Sequence, residues 1–135
     1  MRADRPSLRE IAPWLAYLAA GVLGLVLHAS LETGSLTQSF LYDGIGASAI
    51  VVTLIGVWML RPDRPVPWLL MAFGQALFVA GDLTWNYFEI VGEDPFPSVA
   101  DVLYLAGYPF IALGLFMLIR RRLAGGDRGG VIDAA

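Results

Sequence analysis

The stretch WLLMAFGQALFVAGDLTWNYFEI, residues 68–90, decides the fold class of this chain. A helix of about 20 predominantly apolar residues is long enough to cross the hydrocarbon core of a bilayer. Only two of these side chains carry a charge, Asp82 and Glu89. The stretch therefore predicts a membrane-spanning helix with an acidic residue in its interior.

Three further apolar runs resemble this one in length, so the predicted spans are about residues 11–31, 41–60, 68–90 and 99–119. Of the 135 residues, 57% are hydrophobic and 16% charged, whereas soluble domains are about 45–50% apolar and about 25% charged. We therefore predict an all-α integral membrane bundle of four transmembrane helices, formed by residues 1–122. The sequence shows no basic stripe interleaved with aromatic residues, so we expect no nucleic-acid partner.

The arginines predict the orientation of the bundle. They precede the first predicted span, lie between the second and third, and follow the fourth, whereas the loops 32–40 and 91–98 contain no Arg or Lys. Because positively charged loops stay on the cytoplasmic side, both termini are predicted to be cytoplasmic (N-in/C-in). The expected location is a bacterial plasma membrane, with the lipid bilayer as the first partner.

Polar residues inside the predicted spans are the candidates for function. A carboxylate near the bilayer centre costs about 2.5–3.5 kcal/mol on insertion scales, and Asp82 lies too deep to serve as a helix cap. Its expected partner is Tyr104 or Tyr108 on the next helix. We predict a polar pocket in the outer half of the bundle, formed by Asp82, Asn86, Tyr104, Tyr108 and His28.

Other polar residues have structural interpretations. The S-x-x-D spacing of Ser98 and Asp101 predicts a capping box at the start of the fourth helix. Asp43 and Glu89 are expected to be solvated at the membrane interface. His28 is the only histidine and there is no cysteine, so we predict no metal site and no cofactor.

Two further features concern helix packing. Ala16, Ala20, Gly24 and His28 recur every four residues and predict a small-residue packing face on the first helix. Pro109 lies within the fourth span, where we expect it to bend the helix.

The C-terminal half carries a family resemblance, best over residues 80–135. It resembles the N-terminal multi-span membrane region of actinobacterial signalling proteins, which is fused to GGDEF and EAL domains or to histidine kinases. The resemblance rests on the RRR run at 120–122 and on Trp85, Tyr87, Pro95, Pro97, Ser98, Asp101, Tyr104, Leu105, Tyr108, Pro109, Ile132 and Asp133. It implies a sensory or anchoring input region linked to cyclic-di-GMP or kinase signalling.

Residues 123–135 are glycine-rich and predict a cytoplasmic linker that leads into a further element beyond this chain. Gly125-Gly126-Asp127 is followed by Arg-Gly rather than Glu-Phe, so it is not a cyclase motif. We expect no enzyme activity from these residues; cyclase, phosphodiesterase or kinase activity would belong to that further element.

Three functional hypotheses follow. The first is an input region that detects a small molecule or a membrane condition from outside, with a homodimer as one possible assembly. The second is a small transporter that uses Asp82 as its coupling carboxylate. The third is a passive anchor or assembly scaffold in which the polar residues only hold helices together.

Overall fold

The computed structural model describes residues 8–125, with side chains described for residues 12–120. This part of the chain contains no strand and four helices: α1 (Leu8–Ser30), α2 (Leu36–Leu60), α3 (Val66–Val91) and α4 (Val99–Gly125). Each contains a run that is long and apolar enough to cross a membrane. The predicted all-α architecture of four potential spans is confirmed, and it indicates a multi-pass membrane protein.

Exposed apolar side chains cover these helices. None of the residues of α1 between Ala12 and Ser30 is buried, and Leu18, Leu23 and Val26 are each more than half exposed. Soluble monomers rarely expose continuous apolar patches of this extent. In lipid such surfaces carry no penalty, because acyl chains are as apolar as leucine.

α2 begins one turn earlier than predicted, at Leu36 instead of residue 41. Its first turn is closed by hydrogen bonds: the backbone N–H of Gln38 donates to Ser35 Oγ at 3.2 Å, and Gln38 Oε1 accepts from the backbone N–H of Gly34 at 3.0 Å. The S-x-x-Q spacing of Ser35 and Gln38 is a helix-start signal that the sequence interpretation missed.

The early start of α2 corrects the expectation for Asp43. This residue was expected to be solvated at the interface, but it is only 5% exposed. It lies two turns inside the helix instead of at its beginning. Glu89, for which the same was expected, is exposed.

α4 is one continuous helix across Pro109 and extends to Gly125. The predicted linker therefore begins later than residue 123, because its first three residues still belong to α4. The rest of the predicted linker, residues 126–135, and residues 1–7 lie outside the described part of the chain. The bend expected at Pro109 stays a prediction.

The chain divides within α2 into two compact units, Met1–Ile45 and Gly46–Ala135. In the first unit, a Cβ added to Gly24 would lie 3.4 Å from Cδ1 of Ile45, so α1 and α2 are in ordinary contact at this point. Ala16 and Ala20 of the predicted packing face are exposed. Of that predicted face, Gly24 and His28 are the residues that lie against α2.

In the second unit, α3 and α4 pack backbone against backbone through glycines. A Cβ added to Gly74 would lie 2.9 Å from the carbonyl oxygen of Gly107, and one added to Gly107 would lie 3.0 Å from that of Gly74. A Cβ added to Gly114 would lie 2.7 Å from the carbonyl oxygen of Pro67. Close approach of this kind lets helices gain dispersion energy in lipid, where no hydrophobic force draws them together.

We predict that Gly74→Ala destabilises the α3–α4 pair, because its methyl group would collide with Gly107 and with the Ile111 side chain, 2.6 Å away. Overpacking of this kind costs about 1–3 kcal/mol. The measurement is the free energy of unfolding by SDS titration in mixed micelles.

Gly56→Ala is the matched control, since an added Cβ at this helical position meets nothing within 4 Å. It should leave the unfolding free energy equal to that of the parent or higher by up to about 1 kcal/mol, because alanine has the greater helix propensity. Equal losses in the two variants would contradict the close packing at Gly74.

Candidate functional site

A hydrogen bond between α3 and α4 is the centre of the candidate site. The hydroxyl of Tyr104 donates to Oδ1 of Asp82 at 2.7 Å, and both side chains are half-buried. The length is typical of a well-formed O–H···O hydrogen bond. Asp82 thus has one of the two partners that the sequence predicted for it.

Gly81 and Phe78 fix the position of the Tyr104 ring. A Cβ added to Gly81 would lie 2.6 Å from Cε1 of Tyr104, so the aromatic ring lies directly against the α3 backbone. The ring of Phe78 stacks on Tyr104 with a centroid distance of 6.2 Å. These two contacts direct the hydroxyl towards Asp82, the residue that follows Gly81.

Tyr108 occupies a different environment, although it lies one turn further along α4. Its ring meets Phe78 edge-on at a centroid distance of 5.0 Å, and its side chain is 61% exposed. Phe78 therefore contacts both tyrosines, and Tyr104 is the one that donates its hydroxyl to Asp82. In a membrane, most of the Tyr108 side chain would therefore be exposed to lipid.

Asn86 lies one helical turn after Asp82 on α3 and is only 7% exposed. Gln75 and Glu89, seven residues before and after Asp82, lie near the same face of α3; Gln75 is half-buried and Glu89 is exposed. This polar face of α3 is therefore buried at Asn86 and exposed at Glu89.

Ser98 and Asp101 form hydrogen bonds with each other at the start of α4. The backbone N–H of Ser98 donates to Oδ2 of Asp101 at 2.7 Å, and the Ser98 hydroxyl donates to the same oxygen at 3.2 Å. A carboxylate that accepts an N–H group at a helix N-terminus also interacts favourably with the helix dipole. The Asp101 carboxylate is thereby engaged in its own helix start.

His28 belongs to the first unit, whereas the other four predicted pocket residues belong to the second. Its ring lies 5.9 Å from that of Tyr42, and its carbonyl oxygen accepts a hydrogen bond from Nε2 of Gln38 at 3.2 Å. Through these contacts His28 ties the end of α1 to the first turns of α2. Within residues 8–125, no group of three or more His, Asp or Glu side chains is placed to hold a metal ion.

The glycines of the site are the feature that sequence reasoning missed. Gly74 and Gly81 on α3 are seven residues apart, and so are Gly107 and Gly114 on α4. A seven-residue step returns to nearly the same face of a helix, so this repeat on adjacent helices was the available signal.

Comparisons with protein-family models, with curated proteins and with solved structures give no match for this chain. The resemblance to membrane regions of signalling proteins therefore stays a prediction.

We predict that Tyr104→Phe lowers the unfolding free energy by about 0.6–1.7 kcal/mol, from the average to the maximum value measured for hydrogen bonds between helices in a membrane. Loss of the hydroxyl leaves Asp82 without its donor from α4, while the ring contacts with Gly81 and Phe78 remain. SDS titration of the purified chain measures the change.

Tyr108→Phe is the control, because it removes the same atom from an exposed ring on the same helix. Its unfolding free energy should match the parent. A double-mutant cycle with Asp82→Ala, which removes the acceptor, isolates the pair, and a coupling energy of zero between positions 82 and 104 would contradict the importance of this bond.

Proposed function

We propose that this chain is the membrane-embedded sensory or anchoring input region of a bacterial signal-transduction protein. The observation that carries the proposal is the hydrogen bond from Tyr104 to Asp82, a carboxylate placed within an apolar helix pair. Ionisable residues inside membrane helices are costly and mark functional positions more often than chance. The resemblance of residues 80–135 to such input regions agrees with this assignment.

The proposed orientation has both termini in the cytoplasm of a bacterial plasma membrane. Arg61 and Arg64 lie in the loop between α2 and α3, and Arg120 begins the RRR run at the end of α4. The opposite loops carry Glu32, Glu93 and Asp94 and no basic residue. This asymmetry follows the positive-inside rule.

In this proposal the signal is an external small molecule or a property of the membrane. Asp82, Asn86 and Tyr104 lie in the half of the second unit that faces outside. A signal that competes for the Asp82 carboxylate changes the packing of α4 against α3, and α4 is the helix that leads towards the C-terminus. Such a signal acts only to the extent that it binds the two packing states with different affinity.

The proposed orientation predicts a labelling pattern. The chain has no cysteine, so each engineered thiol is unique. In intact cells, a membrane-impermeant maleimide should label Thr33→Cys and Asp94→Cys but not Asp63→Cys, all three positions being exposed. Permeabilised cells are the control and should label all three; labelling of Asp63→Cys alone in intact cells would reverse the orientation.

The sensory role predicts that substitutions in the candidate site change the output of the full-length protein. That protein is the one encoded by the reading frame that contains codon 135. A GGDEF, EAL or histidine-kinase domain downstream is the expected result, and a stop codon directly after Ala135 would contradict the proposal. Asp82→Asn and Tyr104→Phe should each change that domain's activity about 3- to 20-fold, the shift in a two-state equilibrium that about 0.6–1.7 kcal/mol produces. Insertion and labelling pattern should stay unchanged.

The passive anchor is the second candidate, and the packing of the site favours it. The Tyr104 ring is seated on Gly81, and its hydroxyl binds Asp82, as expected of a bond that only holds two helices together. The two candidates differ in one result. In a passive anchor, Tyr104→Phe lowers stability without changing the output, whereas in an input region both change. Proton-coupled uptake by the purified chain would instead support a transporter.

A further inference from the structure

The packing of α4 against α3 brings basic residues together at one end of the second unit. Gly114 packs on Pro67 and Met71, Gly107 on Gly74 and Phe78, and Tyr104 on Gly81. The two helices are therefore antiparallel: moving along α4 towards its C-terminus means moving the same number of residues along α3 towards its N-terminus.

Arg120 lies six residues beyond Gly114, which is about 9 Å along a helix. The same register therefore places Arg120 level with the loop 61–65. Arg61, Arg64 and Arg120 are all exposed, and we call these three residues the arginine rim.

Two exposed tryptophans lie at the same end of the unit: Trp58 is 73% exposed and Trp68 is 40% exposed. Exposed tryptophans of this kind are typical of the headgroup level of a bilayer.

Arg61 has a backbone conformation that an arginine rarely adopts. Its φ is 42°, and it directly follows the last residue of α2, with its N–H donating to the carbonyl of Val57 at 3.1 Å. α3 ends in the same left-handed region on Gly92, with φ 72°, where glycine has no steric penalty. A side chain retained in a strained conformation points to a role for that side chain.

The chemistry of the rim is that of guanidinium groups. All nine basic side chains of the chain are arginines, since the sequence contains no lysine. Arginine binds phosphate oxygens through two parallel N–H groups, which an ammonium group cannot do. Asp63 is the acidic residue between Arg61 and Arg64, and it is exposed in the same loop.

We propose that the arginine rim binds the phosphodiester headgroup of an anionic phospholipid, with Trp58 and Trp68 placing the rim at headgroup depth. The lipid is favoured over a soluble phosphate because the rim borders helices that are long and apolar enough to span a bilayer. This inference rests on the membrane placement in the proposed function but not on the signalling role. A failure of lipid binding would therefore leave the output experiment unaffected.

The test is the selectivity of the purified chain for phosphatidylglycerol over phosphatidylcholine. The protein carries Trp14→Phe and Trp85→Phe, so that its fluorescence comes from Trp58 and Trp68 alone. It is placed in phosphatidylcholine vesicles, and each lipid is added in brominated form. The quenching of tryptophan fluorescence then measures how strongly that lipid binds near Trp58 and Trp68. Phosphatidylglycerol should bind preferentially. Each Arg→Gln substitution at 61, 64 or 120 should reduce the preference about fivefold, and the triple variant roughly 100-fold, as expected for arginines near an anionic surface.

Two variants separate the contributions of charge and geometry. The triple Arg→Lys variant should keep part of the preference, because it keeps the charge and loses the paired N–H groups. Asp63→Asn should raise the preference, because it removes the competing carboxylate. Both variants stay informative if the triple Gln variant does not fold.

Arg61→Gly tests the strained residue. It should reduce the preference about fivefold while the resistance to SDS unfolding stays equal or rises. A fall in stability with unchanged selectivity would show that Arg61 only stabilises the end of α2. Equal binding of the two lipids by the parent, full selectivity in the triple Gln variant, or displacement of phosphatidylglycerol by inorganic phosphate would overturn the proposal.

Discussion

The close approach of the α3 and α4 backbones is the constraint on which the rest of the second unit depends. At Gly74, Gly107 and Gly114 a single methyl group would meet a carbonyl oxygen or a side chain of the neighbouring helix within about 3 Å. Such contacts leave little freedom to slide one helix along the other. Because lipid provides no hydrophobic force between helices, dispersion at this surface and hydrogen bonds across it have to hold the pair.

The candidate site and the arginine rim are both consequences of this register. At one end it places the Tyr104 hydroxyl against Asp82, and at the other it places Arg120 level with the loop that carries Arg61 and Arg64. The guanidinium groups of the arginine rim and the Asp82 carboxyl group therefore lie towards opposite ends of the α3–α4 pair.

Three other polar side chains of the helices bond within their own helix or helix start. The hydroxyls of Thr53 and Thr84 donate to the carbonyls of Ala49 and Ala80 within their own helices, at 2.8 and 2.7 Å. Asp101 is likewise bound to Ser98 at its own helix start. The bond from Tyr104 to Asp82 differs from these because it joins two helices. That difference, more than the presence of a carboxyl group, makes Asp82 the position of interest.

The number, type and approximate length of the helices follow from the sequence, because membrane insertion depends on summed apolar transfer energy over about 20 residues. The sequence also selected Asp82, and limited its partner to Tyr104 or Tyr108, since a carboxylate in an apolar span needs a donor at similar depth. It did not determine the start of α2, where hydrogen bonds of Ser35 and Gln38 close the first turn, or the burial of Asp43. The choice of Tyr104 over Tyr108 was decided only by the tertiary structure, because it depends on the rotation of α4 about its axis. That rotation follows from the glycines of α4 that pack against α3. It cannot be deduced from the positions of Tyr104 and Tyr108 in the sequence, because residues one helical turn apart lie near the same face of the helix.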